Sequence, residues 1–209
     1  HHAISHTENG TYLLFDNGIY GLTKNQASPT SPQGLKSNTT PHGTPLEPIN
    51  PVSVSLGIHN VSFVAQAVDW IPDLLHDIVE AAFHHKGLSF VRVLQRCPEY
   101  LPGHFDPWIQ KPDRMLLLHH EDGVRIGSDL ARTYRNVEEH DPADRSRARD
   151  IASSYDPMPV GVLYRNSDMP CYEDLCRPDR LYTPEIVKSV LEREFDKFTI
   201  PPAKSSGKA

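Results

Sequence analysis

The amino-acid sequence predicts an α/β fold with a mostly parallel sheet, flanking helices and an irregular C-terminal extension. Three short apolar runs, at residues 11–15, 62–68 and 88–94, have the length and composition of buried strands. A stretch with helical periodicity separates the second run from the third. The resulting order of strand, loop, helix, strand, helix and strand is typical of domains with a parallel sheet.

The clearest helical signal lies between the second and third apolar runs. Apolar residues recur every three or four positions along residues 71–85, which predicts an amphipathic helix. Pro72 suits the first turn of this helix, and Gly87 suits the position just beyond its end. Residues 51–56 predict one or two further helical turns before the second strand.

Beyond residue 97 the signals are weaker, and residues 98–112 have no clear periodicity. The tail at residues 203–209 is rich in Lys, Ser and Gly and is expected to be disordered. The elements predicted between them are a strand at residues 115–118, a helix at residues 142–153, a strand at residues 159–164, and a helix that follows the capping residue Thr183 and ends near residue 195.

A proline-rich segment at residues 25–51 separates the first strand from the next regular element. Its composition is typical of a flexible linker. A loop of this length inside a compact domain is otherwise functional or disordered. The composition alone leaves these interpretations open.

Composition excludes several classes of protein. The 209 residues carry 21 basic and 27 acidic side chains, and a net charge of −6 argues against a nucleic-acid-binding protein. No apolar run approaches the roughly 20 residues of a membrane helix, so no membrane association is expected. Three cysteines in a chain of this length indicate free or metal-bound thiols in a reducing compartment, and we expect a cytoplasmic protein.

Two adjacent histidines, His84 and His85, lie near the end of the helix predicted at residues 71–85. Adjacent side chains point in different directions, so the pair is a poor chelate and is assigned no metal site. A positive charge at the end of a helix interacts favourably with the helix dipole, which is the role expected for this pair.

The polar stretch from Asp16 to Lys24 directly follows the first strand, where parallel α/β sheets bind ligands. The amide oxygen of Asn17 and the carbonyl of Ile19 have the chemistry to bind one Mg²⁺ ion together with phosphate oxygens. Gly21 lets the backbone approach a phosphate closely, and the Thr23 hydroxyl can donate a hydrogen bond to it. A short Asp-Asn-x-Ile pattern is weak evidence in isolation, because an Asn in a turn at the end of a strand is common.

The longer run that contains this pattern closely resembles the β subunits of the 2-oxoacid:ferredoxin oxidoreductases. Its sequence, from residue 16 to residue 30, is Asp-Asn-Gly-Ile-Tyr-Gly-Leu-Thr-Lys-Asn-Gln-Ala-Ser-Pro-Thr. The similarity extends to residues 36–43 and 89–97, and more loosely to residues 159–175. Members of this family use thiamine diphosphate to decarboxylate 2-oxoacids to acyl-CoA, and they pass the electrons through iron–sulfur clusters. The resemblance implies a thiamine-diphosphate-binding fold and an ordered loop over the cofactor at residues 25–51.

The resemblance also implies the roles of individual residues. Asn17 and Ile19 would bind Mg²⁺, and Gly21, Leu22 and Thr23 would line the diphosphate and the thiazolium ring. The family's preceding Gly-Asp-Gly, which supplies another Mg²⁺ ligand, is absent from this sequence. The chain is therefore expected either to be truncated at its N terminus, which we favour, or to have lost cofactor binding. We expect residues 1–100 to form the C-terminal part of the thiamine-diphosphate domain, and residues 101–209 an extension packed on it.

Lys24 has two interpretations. It is a solvated lysine, or it is a cation near the thiazolium ring that meets a substrate carboxylate. Family members that use pyruvate tend to have Gly at this position. A Lys here resembles the 2-oxoglutarate-type subgroup, whose substrate carries a second carboxylate.

Cys97 follows the third strand, so it is expected at the same edge of the sheet as Asn17. Taken alone, it is most simply a structural thiol. In the family, a Cys at this place completes the ligands of a 4Fe–4S cluster, so the resemblance implies that role for Cys97. Cys171 and Cys176 match no ligand of the family. They are expected to be free thiols, with a separate metal site as the alternative.

The resemblance implies the β subunit of a thiamine-diphosphate-dependent 2-oxoacid:ferredoxin oxidoreductase, with 2-oxoglutarate as the favoured substrate. The expected cofactors are thiamine diphosphate, Mg²⁺ and a 4Fe–4S cluster, and the expected partners are an α subunit, ferredoxin, the 2-oxoacid and coenzyme A. Because the α subunit provides the carboxylate that activates the cofactor in this family, this chain is expected to be inactive alone. The alternatives are pyruvate or another 2-oxoacid as substrate, a non-catalytic or accessory electron-transfer subunit, and an unrelated nucleotide-binding domain.

Overall fold

The computed structural model describes residues 8–176 and 183–198 of the chain. The tail that is predicted to be disordered, at residues 203–209, lies outside the described residues. The chain divides into two compact units, of which the first ends at Leu175 and the second begins at Cys176.

The first unit alternates strands and helices. In chain order its elements are β1 (Gly10–Asp16), α1 (Pro51–Gly57), β2 (Phe63–Val68), α2 (Pro72–His84), β3 (Leu88–Leu94), α3 (Asp106–Ile109), a single 3₁₀ turn (Pro112–Arg114), β4 (Met115–His119), α4 (Ser128–Thr133), β5 (Val137–Glu139), α5 (Arg145–Ala152), β6 (Met158–Arg165) and α6 (Tyr172–Cys176), whose last residue begins the second unit.

The six strands form one sheet in the order β1-β3-β2-β6-β4-β5. All neighbouring strands run parallel except β2 and β6, which are antiparallel. This confirms the predicted mostly parallel α/β sheet. Residues 101–175 supply three of its strands, so the sheet continues across the boundary that was expected near residue 100.

Helices pack on both faces of the sheet and bury two apolar clusters. On one face, α2 places Leu74, Ile78 and Ala82 against the strands. On the other face, α1 and α5 contribute Leu56 and Ile151 to a second cluster. Because both faces are covered, β2 and β3 are buried along their whole length.

The proline-rich segment is an ordered loop, so the linker interpretation is wrong. Backbone hydrogen bonds join distant parts of the segment, for example Gly34 N–H to the Thr44 carbonyl at 2.9 Å and Ile49 N–H to the Pro29 carbonyl at 2.9 Å. Asn50 ends the loop by capping α1, since its side-chain oxygen accepts a hydrogen bond from Val52 N–H at 3.1 Å.

The described part of the second unit contains the helix α7 (Pro184–Asp196). The Thr183 hydroxyl oxygen accepts a hydrogen bond from Ile186 N–H at 3.4 Å, which confirms the predicted cap. None of the described helices has the length and apolar character that a membrane span requires.

Candidate cofactor-binding site

The candidate site lies at the carboxyl ends of the parallel strands β1, β3 and β2. Asp16 is the last residue of β1 and is level with Leu94 at the end of β3. The Gln95 N–H donates a hydrogen bond to the Asp16 carbonyl at 3.0 Å, so the segments that follow these two strands start side by side. The sequence prediction that Asn17 and Cys97 share one edge of the sheet is therefore confirmed.

A tight turn follows Asp16. The Asn17 amide oxygen accepts a hydrogen bond from Ile19 N–H at 3.1 Å, and an Asp16 carboxylate oxygen accepts one from Gly18 N–H at 3.1 Å. Gly18 has a φ of 72°, and a Cβ there would lie 3.3 Å from His104 Nε2. Glycine is therefore favoured both by the backbone conformation and by the close approach of the loop that follows β3.

The oxygen atoms of this turn fit the requirements of Mg²⁺. An amide oxygen has two lone pairs, so Asn17 keeps one acceptor site after the bond to Ile19 N–H. Among residues 8–176 and 183–198, no group donates a hydrogen bond to the Ile19 carbonyl. An amide oxygen and an unengaged carbonyl, two residues apart, are ligands that Mg²⁺ accepts together with phosphate oxygens.

Cys97 lies beside this turn. A Cβ at Gly21 would lie 3.8 Å from Cys97 Sγ and 4.0 Å from Asn17 Nδ2. The thiol and the amide therefore both lie close to Gly21. The thiol is free and partly exposed. A single thiolate here has the chemistry of one ligand of an iron–sulfur cluster.

The two other cysteines show no sign of a separate metal site. The Cys171 thiol is buried and donates a hydrogen bond to Asp174 Oδ2 at 3.2 Å, and burial raises its pKa. Cys176 is free and exposed. In the described part of the chain, neither belongs to a group of three ligating side chains close enough to share an ion.

The described residues contain one group of that kind, formed by His76, Asp77 and Glu80 on the exposed side of α2. Exposed acidic groups with this spacing are ordinary on a helix surface, and the group is far in sequence from the turn at Asn17.

Leu22, Thr23 and Lys24 are exposed at the tip of the same segment. Lys24 and Asn25 have φ values of 69° and 62°, which turn the chain back so that Gln26 pairs with Tyr20. The Lys24 carbonyl accepts a hydrogen bond from Asn38 Nδ2 at 2.8 Å. The Lys24 ammonium group therefore projects from an anchored turn, and no carboxylate in the described residues forms a salt bridge with it.

Sequence reasoning missed a buried polar network behind the turn. The Asp16 carboxylate accepts hydrogen bonds from Arg92 Nε at 2.8 Å and from the Thr30 hydroxyl at 2.6 Å, and Arg92 donates to the Gln66 side chain at 3.2 Å. The signal that could have indicated it was a charged residue inside the apolar run of residues 88–94 and an amide inside the run of residues 62–68.

A cavity of about 240 Å³ adjoins this network. Arg92 and Gln66 line its polar side, and Phe105, Trp108 and Tyr155 contribute aromatic walls. His104 lies between the cavity and Gly18, and burial lowers its pKa although the negative charge of Asp16 acts in the opposite direction. The lowered pKa favours the neutral form of the imidazole beside the turn.

Comparison with known proteins agrees with this geometry. The family model "Thiamine pyrophosphate enzyme, C-terminal TPP binding domain" matches residues 1–93. A second family model, which describes the C-terminal region of the beta subunit of pyruvate ferredoxin oxidoreductase, matches residues 131–179. The sheet and these two matches therefore indicate the α/β fold of thiamine-diphosphate enzymes.

Individual relatives indicate which kind of thiamine-diphosphate enzyme the chain resembles. The 2-oxoglutarate oxidoreductase subunit KorB of Mycobacterium tuberculosis is 38% identical over 130 residues, which are 61% of this chain and 35% of that subunit. The 2-oxoacid:ferredoxin oxidoreductase subunit beta of Sulfolobus sp. is 31% identical over 193 residues, which are 90% of this chain and 59% of that subunit. Over most of its length, the chain is therefore similar to the β subunits of 2-oxoacid:ferredoxin oxidoreductases.

A solved structure of an enzyme of this kind is also similar to the chain. The 2-oxoglutarate:ferredoxin oxidoreductase from Magnetococcus marinus, with 2-oxoglutarate, coenzyme A and succinyl-CoA bound, matches with a TM-score of 0.67 and 27% identity. The match covers 96% of this chain and 61% of that chain. The chain thus spans less than two thirds of the length of each of these relatives.

Proposed function

We propose that this chain is the β subunit of a thiamine-diphosphate-dependent 2-oxoacid:ferredoxin oxidoreductase that acts on 2-oxoglutarate. The observation that carries the proposal is the position of the Asn17 amide and the Ile19 carbonyl beside the Cys97 thiol, at the carboxyl edge of the sheet. The similarity to β subunits of this kind and the 2-oxoglutarate enzymes among the relatives support it.

Each part of the turn has one task in this proposal. Asn17 and Ile19 hold Mg²⁺ through their oxygen atoms, and Gly21, Leu22 and Thr23 line the diphosphate and the thiazolium ring. When bound, thiamine diphosphate supplies the carbanion chemistry that removes carbon dioxide from the substrate.

Lys24 selects the substrate in this proposal. Its ammonium group is exposed and unpaired among the described residues, and the left-handed turn fixes the backbone that carries it. A second carboxylate on the substrate gives this cation a partner, whereas pyruvate has no such group. A charge-assisted hydrogen bond of this kind contributes about 1.5–3 kcal/mol.

The Cys97 thiol would be one ligand of a 4Fe–4S cluster, which would supply one-electron chemistry towards ferredoxin. Coenzyme A would be the acyl acceptor of the overall reaction. The chain requires its α subunit for activity, so the working unit contains both subunits and the chain is inactive alone. Three free thiols support a reducing compartment, and we propose the cytoplasm.

The test is an assay of the β chain assembled with its α subunit, with 2-oxoglutarate or pyruvate, coenzyme A and a reducible dye. We expect dye reduction with 2-oxoglutarate to exceed that with pyruvate. Equal or better use of pyruvate would contradict the role of Lys24. Absence of any 2-oxoacid oxidation would favour the alternative of a non-catalytic or accessory electron-transfer subunit.

Substitution of Lys24 tests its role directly. Lys24→Gly is expected to lower kcat/KM for 2-oxoglutarate by about tenfold to a hundredfold and to leave pyruvate oxidation unchanged. Glycine suits a φ of 69°, so this variant should fold without strain. Asn25→Gly, in the same left-handed turn, is the matched control, because it relaxes the backbone without removing a charge.

A further inference from the structure

We infer that Asp16, Arg92, Gln66 and Thr30 are positioning residues that fix the metal-binding turn at Asn17–Ile19, an inference that rests on the proposed function. These four residues form a buried chain of hydrogen bonds that begins at the turn and crosses the sheet. None of them touches the metal in this proposal. They act by setting the backbone geometry of the residues that do.

The Asp16 carboxylate is at the centre of the network. Its side chain is 5% exposed, and both of its oxygen atoms are engaged. Oδ2 accepts hydrogen bonds from Arg92 Nε at 2.8 Å and Arg92 Nη2 at 2.6 Å. Oδ1 accepts from the Thr30 hydroxyl at 2.6 Å and from Gly18 N–H at 3.1 Å. One carboxylate therefore ties the end of β1 to β3, to the long loop and to the turn itself.

The network continues through four neighbouring strands. Arg92, on β3, donates from Nη1 to Gln66 Oε1 on β2 at 3.2 Å. Gln66 donates from Nε2 to the carbonyl of Pro159 on β6 at 2.7 Å. Asp16, Arg92, Gln66 and Pro159 thus follow the strand order β1-β3-β2-β6 without a gap. The hydrogen bonds therefore anchor the turn to the middle of the sheet rather than to a single loop.

Stability alone does not account for this arrangement. The desolvation of two buried charges largely offsets their attraction, so apolar side chains of similar volume would stabilise the sheet about as well. Unlike apolar packing, an ion pair with directed hydrogen bonds fixes the orientation of the Asp16 carboxylate. That carboxylate in turn fixes the N–H of Gly18, the residue between the two proposed metal ligands.

The peptide groups on both sides of Gly18 are held. Its N–H bonds to Asp16, and its carbonyl accepts a hydrogen bond from the Ser31 hydroxyl at 2.6 Å. Mg²⁺ demands nearly ideal octahedral geometry, so small rotations of these peptides displace the Ile19 carbonyl from a productive position. Groups that orient metal ligands typically affect metal affinity by about 10- to 100-fold.

The test measures metal binding separately from folding. The β chain is assembled with its α subunit as the wild type and as the variants Arg92→Lys, Thr30→Val and Val91→Ala. Binding of Mn²⁺, as a paramagnetic substitute for Mg²⁺, is measured by EPR in the presence of thiamine diphosphate, and the melting temperature of each complex is recorded. Val91→Ala is the matched control, since Val91 is fully buried next to Arg92 on β3 but lies outside the network.

We expect Arg92→Lys and Thr30→Val to weaken Mn²⁺ binding by about 10- to 100-fold. Val91→Ala should lower the melting temperature and leave Mn²⁺ affinity unchanged. Thr30→Val nearly preserves side-chain volume at a partly exposed position, so it decides the question if Arg92→Lys does not fold. Unchanged Mn²⁺ affinity in the variants that fold would overturn the inference while the wild type still binds the metal. A wild-type complex that binds no Mn²⁺ would contradict the proposed function itself.

Discussion

In the proposed site, some residues at the edge of the sheet bind and others position. Asn17 and Ile19 offer oxygen atoms, Cys97 offers a thiol, and Lys24 offers a positive charge. The buried carboxylate of Asp16 offers no acceptor to a ligand, because it accepts four hydrogen bonds within the protein. The proposal therefore gives the adjacent polar residues Asp16 and Asn17 different roles, which follow from their different exposure.

The role of Cys97 is open to a direct prediction. We expect Cys97→Ser to reduce the iron content of the assembled complex by one cluster and to remove the EPR signal of that cluster after reduction. A serine hydroxyl is a poor substitute for a thiolate ligand of iron. The matched control is Cys176→Ser, which changes an exposed free thiol.

Full iron content in the Cys97→Ser complex would show that this thiol is structural. An equal loss in both cysteine variants would indicate a general failure of cluster assembly.

The residues of the turn after β1 and Cys97 could be predicted from the sequence, whereas the partners within the buried polar network could not. Asn17 and Cys97 each follow an apolar run, so the topology of a parallel sheet already places them at one edge. Arg92 and Gln66 lie within strands, where the sequence reveals a polar residue but not its partner. The pairing of Arg92 with Asp16 depends on strand order and register, which a single sequence does not specify.

At the scale of elements, β3 and α2 match the residues predicted for them almost to the residue. Long apolar or periodic runs, bounded by Pro and Gly, leave few alternatives. The direction of β6 could not be predicted, because hydrophobic patterning does not distinguish a parallel from an antiparallel neighbour. The short strand β5 and the helix α4 were missed, since three and six residues are too few to show a period.

The end of α2 differs from the expectation of a charged histidine pair. His84 is exposed, but His85 is buried, and its ring packs on Phe63 with centroids 5.3 Å apart. Desolvation and, to a lesser extent, the positive charge of Arg165 lower the pKa of His85 to about 4. The side chain is therefore neutral at pH 7, and the predicted interaction with the helix dipole is wrong for His85.

This difference leads to a prediction of pH dependence. The pKa of His85 is about 4 in the folded chain and near its ordinary value of 6.5 in the unfolded chain. Protons therefore bind preferentially to the unfolded state, and the stability due to the neutral ring is lost as the pH falls from 6.5 towards 4. We expect the melting temperature of a His85→Leu variant to fall less over this interval than that of the wild type. The control, His84→Gln, should follow the wild type.

The contributions of acidic side chains are common to all three proteins and cancel in the comparison. Parallel pH profiles for the wild type and His85→Leu would contradict the lowered pKa.

In the first unit as a whole, one sheet contains strands from both regions that the family models match, residues 1–93 and residues 131–179. Strand β6 lies between β2 and β4, and it joins residues 63–68 to residues 115–119. The buried network uses the same junction, because Gln66 donates to the Pro159 carbonyl. We expect the site at the end of β1 to depend on the integrity of strands that follow residue 100.

Gly161 tests the packing of β6 against β4. It has a φ of 140°, and a Cβ there would lie 2.8 Å from Leu118 Cβ and 3.0 Å from the Leu118 carbonyl oxygen. Backbone strain and overpacking together predict that Gly161→Ala lowers the free energy of unfolding by about 2–5 kcal/mol. Urea denaturation of the complex measures this loss.

The control is Gly127→Ala, where the added methyl group meets no atom within 4 Å, and where the change should stay within about 1 kcal/mol. Equal stability of the two variants would contradict the close packing of β6 against β4.

The proposed function requires Asn17 and Ile19 to hold the metal that anchors thiamine diphosphate. A crystal structure of the complex with thiamine diphosphate and Mn²⁺, in which anomalous scattering locates the metal, tests this requirement. We expect an anomalous peak near the coordination distance of about 2.1 Å from both Asn17 Oδ1 and the Ile19 carbonyl oxygen. A metal bound to other residues, with the Asn17–Ile19 turn outside its coordination sphere, would show that the proposed metal site is wrong.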